Sequence, residues 1–233
     1  MRYIIMNGHT IERGTDGVFR SSGIFQEVAW NSPRKDGPAF VRSGVKNPKL
    51  KGSSPTAYLA GQELVVEAFG NMMRSANANE ATYQVEIIGG RPGYLNGMAL
   101  ELNEAIVALR ELKETFGPDF NAKTVSHTKT TADEMVYLLD LADKEETEEI
   151  RLVMLQFRIP RAEVLLSLTA IKVGKVKALA KIMLVPAEEH ISKRSLAKVR
   201  RAYASPAYQA TMCQEMTGMR KALVGSYGRG GNT

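Results

Sequence analysis

Residues 2–13 read RYIIMNGHTIER, two short apolar-rich segments on either side of an Asn-Gly pair. Both Asn7 and Gly8 tolerate the positive φ angles that a two-residue type I′ turn requires. The stretch therefore predicts a β-hairpin formed by residues 2–6 and 9–13.

The residues that follow extend this strand region and then interrupt it. Residues 17–20 and 24–30 mix polar and apolar side chains as strands do, so we expect an N-terminal strand section over residues 1–30. Residues 31–55 contain four prolines, which with their glycines leave little room for regular structure. We expect a loop or an oligomerisation arm that orders on a ligand or a neighbouring subunit. The alternative is a mobile surface loop with incidental charge. Its basic residues are Arg34, Lys35, Arg42, Lys46, Lys49 and Lys51.

Helical patterns dominate residues 56–224. Apolar residues recur there at helical spacing in segment after segment, whereas residues 82–88 alternate as a half-buried strand does. Residues 145–159 begin with a run of glutamates, which suits the positive end of a helix, so we expect a helix there. Residues 175–184 are also expected to be helical.

These patterns define the fold class as α+β, with an N-terminal β-hairpin and strand section followed by a mainly α-helical body. Thr131 and Glu134 have the spacing of a capping box, which indicates a helix start. The expected organisation is a strand section at 1–30, a basic arm at 31–55, a helical body at 56–224 and a flexible Gly-rich tail at 225–233.

The charge of the chain is unevenly distributed. The formal net charge is +6, but residues 53–150 carry −10 and residues 151–233 carry +11. Two surfaces of opposite sign would attract a second copy head to tail. The alternative is that the acidic and basic parts neutralise each other within one fold.

The basic C-terminal region is the signal with a physical mechanism. Arg194, Lys198 and Arg201 are spaced i, i+4 and i+7, so a helix places them on one face. Clustered cations bind phosphate backbones by releasing condensed counterions, and nearby tyrosines can stack on single-stranded bases. The candidate nucleic-acid-binding residues are Lys177, Lys181, Lys193, Arg194, Lys198, Arg200, Arg201, Arg220, Lys221 and Arg229.

Signatures of catalysis, metal and cofactor binding are missing from the sequence. No phosphate-binding loop, dinucleotide-binding fingerprint or His/Cys zinc spacing is present, so we expect no cofactor and no metal. His127, with Asp133 as an orienting carboxylate, is the best candidate for a general base, against the simpler interpretation of a solvated loop histidine. Cys213 is expected to be a small core residue.

These observations predict a non-enzymatic protein that binds nucleic acid with low sequence specificity and self-assembles, as a coat protein or nucleoprotein does. RNA or single-stranded DNA is preferred, because no duplex-reading motif is present. The alternatives are a structural assembly protein without a nucleic-acid ligand, or an enzyme with a site near His127. The single cysteine and the lack of a leader or a long apolar run predict a soluble, intracellular protein that does not contact a membrane.

Overall fold

The computed structural model describes residues 1–8, 11–13, 18–27, 57–78, 82–90, 92–95, 98–128 and 130–225. Its regular elements, in chain order, are β1 (Arg2–Asn7), β2 (Ile11–Arg13), β3 (Phe19–Ser21), β4 (Phe25–Glu27), β5 (Ala57–Leu59), α1 (Gln62–Ala78), β6 (Gln84–Ile88), β7 (Pro92–Leu95), β8 (Met98–Asn103), α2 (Glu104–Phe116), β9 (Lys123–Val125), α3 (Thr131–Ala142), β10 (Glu149–Met154), α4 (Ile159–Val173), β11 (Ile182–Pro186), α5 (Lys193–Tyr203) and α6 (Pro206–Leu223). Short 3₁₀ turns at Gln156–Arg158, Val176–Lys181 and Ala187–Glu189 connect some of them.

The centre of the molecule is a five-stranded parallel sheet with the order β11-β10-β1-β6-β9. From β1 the chain moves through α1 to its neighbour β6, and from β10 it moves through α4 to β11 on the other side. The direction of winding therefore reverses between β1 and β10. Three antiparallel pairs, β2 with β3, β4 with β5 and β7 with β8, lie outside this sheet.

Burial on both faces explains why β1 is a central strand. Ile4 and Met6 belong to one apolar core, with residues of α1 and α2. Tyr3 and Ile5 belong to a second core, with residues of α3 and α4. A run of apolar residues that is covered on both faces is typical of a parallel sheet between two helical layers.

The mixed α+β class is confirmed, but the N-terminal hairpin is not formed. β1 pairs in parallel with β10 and β6, and β2 pairs with β3 instead. The amide of Gly8 donates to the carbonyl of Ile88, so Asn7-Gly8 leads out of the sheet rather than turning back. The hairpin prediction fails because Asn-Gly chemistry is local, whereas β1, with its buried residues 3–6, is stabilised by strands distant in sequence.

Two predicted helices are also wrong. Residues 149–154, within the predicted helix at 145–159, form β10, and the predicted helix at 175–184 is a 3₁₀ turn followed by β11. Strands therefore recur between the helices as far as residue 186. The strand predicted within 82–88 is confirmed as β6. The capping box is shifted by one residue: Thr130 accepts from the Asp133 amide at 3.2 Å, and Asp133 accepts from the Thr130 amide at 2.9 Å.

The predicted arm, with Arg34, Lys35, Arg42, Lys46, Lys49 and Lys51, lies outside the described residues, as do residues 226–233 of the predicted tail. Within the described ranges, every helix is too short or too polar to cross a bilayer.

Candidate functional site: a crevice at the carboxyl edge of the sheet

The reversal of winding opens a crevice at the carboxyl ends of β1 and β10. In open parallel sheets this switch point is where the connections diverge to opposite faces and where ligands are commonly bound. The crevice encloses a cavity of about 40 Å³ and opens to solvent. Its walls are mainly apolar, from Ala60, Val65, Met135, Val153, Met154, Leu155, Ala162 and Leu165. Its polar lining residues are Asn7, Gln62, Thr131, Arg158 and Arg161.

Three helices begin at this crevice. Gln62 is the first residue of α1, Thr131 is the first of α3, and Arg158 immediately precedes α4. The amino-terminal turn of a helix carries partial positive charge and free amide groups. α3 is capped by the side chain of Thr130, whereas α4 has no side-chain cap. The amides of Arg158 and Ile159 already donate to Leu155 and Gln156, so α4 favours an anion through its dipole and not through free amide groups.

Arg158 is the most unusual side chain in the crevice. Its Nη2 donates to the carbonyl oxygen of Ala60 at 3.1 Å, and its guanidinium lies 5.3 Å from the centre of the Phe157 ring. Its Nε and Nη1 atoms are buried and have no hydrogen-bond partner among the described residues. Burial lowers the pKa of Arg158 to about 10, despite the opposing influence of Glu215. The side chain is still charged at neutral pH.

Arg161 lies one turn further along α4 and forms an ion pair with α6. Its Nε is 3.1 Å from Oε2 of Glu215, and both side chains are largely buried. This pair lacks hydrogen-bond alignment, because Glu215 Oε2 accepts no hydrogen bond within the described part of the chain. Burial raises the pKa of Glu215, and the two arginines oppose that rise. Two guanidinium groups thus share one carboxylate.

Asn7 is held in one orientation at the end of β1. Its Nδ2 donates to Oε2 of Glu134 at 2.8 Å, and its backbone oxygen accepts from Nε2 of Gln62 at 3.1 Å. The side-chain oxygen Oδ1 is buried and has no partner among the described residues. The crevice therefore contains an unpaired acceptor as well as unpaired donors.

Glycines let the neighbouring loops approach closely at this edge. A Cβ on Gly8 would lie 2.9 Å from the Cβ of Glu104. A Cβ on Gly90 would lie 2.1 Å from the carbonyl oxygen of Ser126, far inside any permitted contact. These positions, just after β1 and β6, require glycine for steric reasons.

The basic helix predicted from the sequence is present as α5, beside the amino terminus of α1. Ser195, Val199 and Ala202 form its buried stripe, and Val199 and Ala202 belong to the apolar core of that face. Lys193, Arg194, Arg200 and Arg201 are exposed, while Lys198 is half-buried with its Nζ 4.0 Å from Glu63.

The other predicted nucleic-acid-binding residues lie elsewhere. Lys177 is exposed, and Lys181 donates to the carbonyl of Lys144 at 2.9 Å, just before the amino end of β11. Arg220 and Lys221 are exposed in the last turn of α6. The structure therefore places Lys181 and α5 at opposite edges of the sheet. Arg229 lies beyond the described residues.

The alternative sites are not supported by the geometry. The exposed ring of His127 contacts Tyr137 edge-on at 5.5 Å, and the Asp133 carboxylate is used in the helix cap. Among the residues described, no group of three or more His, Cys, Asp or Glu could hold a metal ion. The expectation that Cys213 lies in the core is wrong: it is exposed, because α6 buries Ala207, Thr211, Glu215 and Ala222 instead.

Sequence reasoning missed Asn7, Arg158, Arg161 and Glu215 as site residues. The available signal was positional: Asn7 ends one apolar run, and Arg158 and Arg161 follow another. It could be recognised only if residues 149–154 were first assigned as a strand.

Comparison of the chain with protein-family models, with curated proteins and with solved structures finds no match.

Proposed function

We propose that the protein binds a small organic anion, carrying a phosphate or a carboxylate, in the crevice at the carboxyl edge of the sheet. The observation that supports this most directly is Arg158, whose charged side chain lines the crevice with two buried nitrogens that lack a hydrogen-bond partner in the described part of the chain.

Two nitrogens of the buried Arg158 side chain have no hydrogen-bond partner among the described residues. Buried polar groups in folded proteins are almost always hydrogen-bonded, and an unpaired buried charge costs several kcal/mol. Glu215 can compensate only one of the two guanidinium groups. An anion beside Arg158 would supply the second negative charge, and the amino terminus of α4 would add to its attraction.

The composition of the crevice favours an organic molecule over a bare ion. Small-molecule sites are typically concave and mostly apolar, with a few polar groups that orient the ligand. Val65, Met135 and Leu165 can contact a hydrocarbon portion while the arginines hold the charged group. That the chain is not an enzyme stays a prediction, since binding alone is proposed here.

Calorimetry with inorganic phosphate, acetate and ethyl phosphate tests this proposal. Arg158→Met should weaken binding by roughly 10- to 100-fold, because a charge-assisted hydrogen bond contributes about 1.5–3 kcal/mol. Arg194→Met, on the exposed face of α5, is the matched control and should leave binding unchanged. Wild-type protein that binds none of these anions at millimolar concentration, or equal binding by the folded Arg158→Met variant, would refute the proposal.

Nucleic-acid binding by α5 is a second proposal, favoured by the four exposed cations on that helix. The ligand would be RNA or single-stranded DNA, contacted through phosphates with little sequence preference. Replacing Arg194, Lys198 and Arg201 together by Ala should reduce the slope of log affinity against log salt by roughly 0.7 for each lost contact. A control triple variant, Lys113, Lys144 and Lys172 to Ala, removes the same charge at exposed positions elsewhere and should have less effect. Equal slopes in the two variants would exclude α5 as the binding surface.

Head-to-tail self-assembly and an intracellular location are also proposals, supported by the opposite charges of residues 53–150 and 151–233 and by the single cysteine. Light scattering at low and high salt tests the first of these. A monomer at every concentration and salt, with and without nucleic acid, would refute it.

A further inference from the structure

The orientation of the Asn7 side chain is determined by its neighbour. The carboxylate of Glu134 can only accept hydrogen bonds when ionised, so the group 2.8 Å from its Oε2 must be the Asn7 amide nitrogen. The Asn7 oxygen Oδ1 therefore points away from that contact. A flip of the amide would place its oxygen against the carboxylate oxygen of Glu134, so the side chain has little freedom to turn over.

This arrangement leaves a fixed acceptor in a site otherwise dominated by donors. Oδ1 of Asn7 is buried and has no partner within the ranges that the structure describes, and Asn7 lines the same crevice as Arg158 and Arg161. A buried carbonyl oxygen without a donor is destabilised by its lost hydration. A ligand that only accepts hydrogen bonds would satisfy the arginines and leave this oxygen unpaired.

We infer that the ligand carries a hydroxyl group in addition to its anionic group, and that Asn7 Oδ1 accepts a hydrogen bond from that hydroxyl. The inference rests on the proposed anion-binding function and adds the substrate class, a hydroxylated organic acid or phosphate ester. A hydroxyl is preferred to an ammonium group because the two guanidinium groups lining the crevice would repel a positively charged ligand group. Asn7 is then the residue that determines specificity, while Arg158 provides charge recognition.

Matched ligand pairs test this inference without altering the protein. Each pair differs by one hydroxyl: glycolate and acetate, hydroxymethylphosphonate and methylphosphonate, 2-hydroxyethyl phosphate and ethyl phosphate. The three pairs place the hydroxyl at different distances from the anion. In at least one pair the hydroxylated compound should bind about tenfold more tightly, since its hydroxyl satisfies a buried acceptor.

Asn7→Leu provides the second readout. The variant retains a side chain of similar size and removes the acceptor, so the ratio of the two affinities in each pair should fall to within twofold, whatever the change in absolute affinity. If Asn7→Leu does not fold, the wild-type ligand pairs decide the question alone. Binding of all six compounds with less than twofold preference in every pair would overturn this inference and leave the anion site intact. Binding of none would overturn the proposed function and this inference together.

Discussion

Replacing Arg158 by Met should stabilise the protein when no anion is present. The pKa of Arg158 is lowered to about 10 by burial. Because a change of one in pKa is worth about 1.4 kcal/mol, this shift corresponds to roughly 3 kcal/mol against the charged form, as the net of burial and the opposing attraction of Glu215. The variant loses the hydrogen bond from Nη2 to Ala60, worth about 1–2 kcal/mol, while the Met side chain can still pack on the Phe157 ring. The expected net gain in the free energy of unfolding is about 1–2 kcal/mol.

Urea denaturation followed by circular dichroism measures this difference. The first series uses a zwitterionic buffer without small anions, and the second adds inorganic phosphate. Wild-type protein should gain about 2.7 kcal/mol at a phosphate concentration a hundred times its Kd, whereas Arg158→Met, which binds 10- to 100-fold more weakly, should gain only about 0.4–1.4 kcal/mol. The difference in stability should therefore shift in favour of wild type by about 1.3–2.3 kcal/mol between the series.

Two results would refute this reasoning. If Arg158→Met is less stable than wild type by more than about 1 kcal/mol without anions, the unpaired nitrogens are not a source of strain. If phosphate stabilises both proteins equally, the anion binds somewhere other than beside Arg158. Arg194→Met is the control for removing one positive charge and should change stability by less than about 0.5 kcal/mol.

Three further predictions follow from the site and its surroundings. Glu215→Gln removes the carboxylate that competes for Arg161, so calorimetry should show about fivefold tighter binding of phosphate, and weaker binding would contradict the electrostatic argument. Gly90→Ala should lower the free energy of unfolding by about 2–3 kcal/mol, because its Cβ would collide with a backbone oxygen. Gly23→Ala is the control: no described atom lies within 4 Å of its Cβ, so the free energy of unfolding should change by less than about 0.5 kcal/mol. Burial, with the hydrogen bond to Glu86, raises the pKa of Tyr137 to about 12. The stabilisation linked to this raised pKa is fully present below pH 10 and is lost as the pH rises through 12. An ultraviolet titration should therefore lose one late-ionising phenol in Tyr137→Phe, and an unchanged curve would count against the buried contact.

The sequence predicts the amphipathic elements well and the buried strands poorly. α5 could be predicted because its cations and apolar residues segregate at helical spacing. β10 could not be distinguished from a helix, because Ile150, Leu152, Val153 and Met154 are all buried and so short an apolar segment has no diagnostic period. The glutamates before this strand then favoured the wrong element.

The crevice was beyond sequence reasoning for a topological reason. Asn7 and Arg158 are far apart in the chain, and they come together because Met6 pairs with Val153 in adjacent parallel strands. Neither residue belongs to a recognisable motif. Once the strand order is known, the switch point identifies the place, and the unpaired polar atoms identify the chemistry.

The central position of β1 has a consequence for how the chain folds. Tyr3 pairs with Gln84 on one side and with Ile150 on the other, so the strand reaches its final partners only after most of the polypeptide has been synthesised. Contacts this distant along the chain slow folding, and parallel pairings are among the slowest to form. Until β10 arrives, Ile4, Ile5 and Met6 form an uncovered apolar edge that can pair with other nascent chains. Refolding yield should accordingly fall with protein concentration, and the carboxyl edge with its crevice should be completed last.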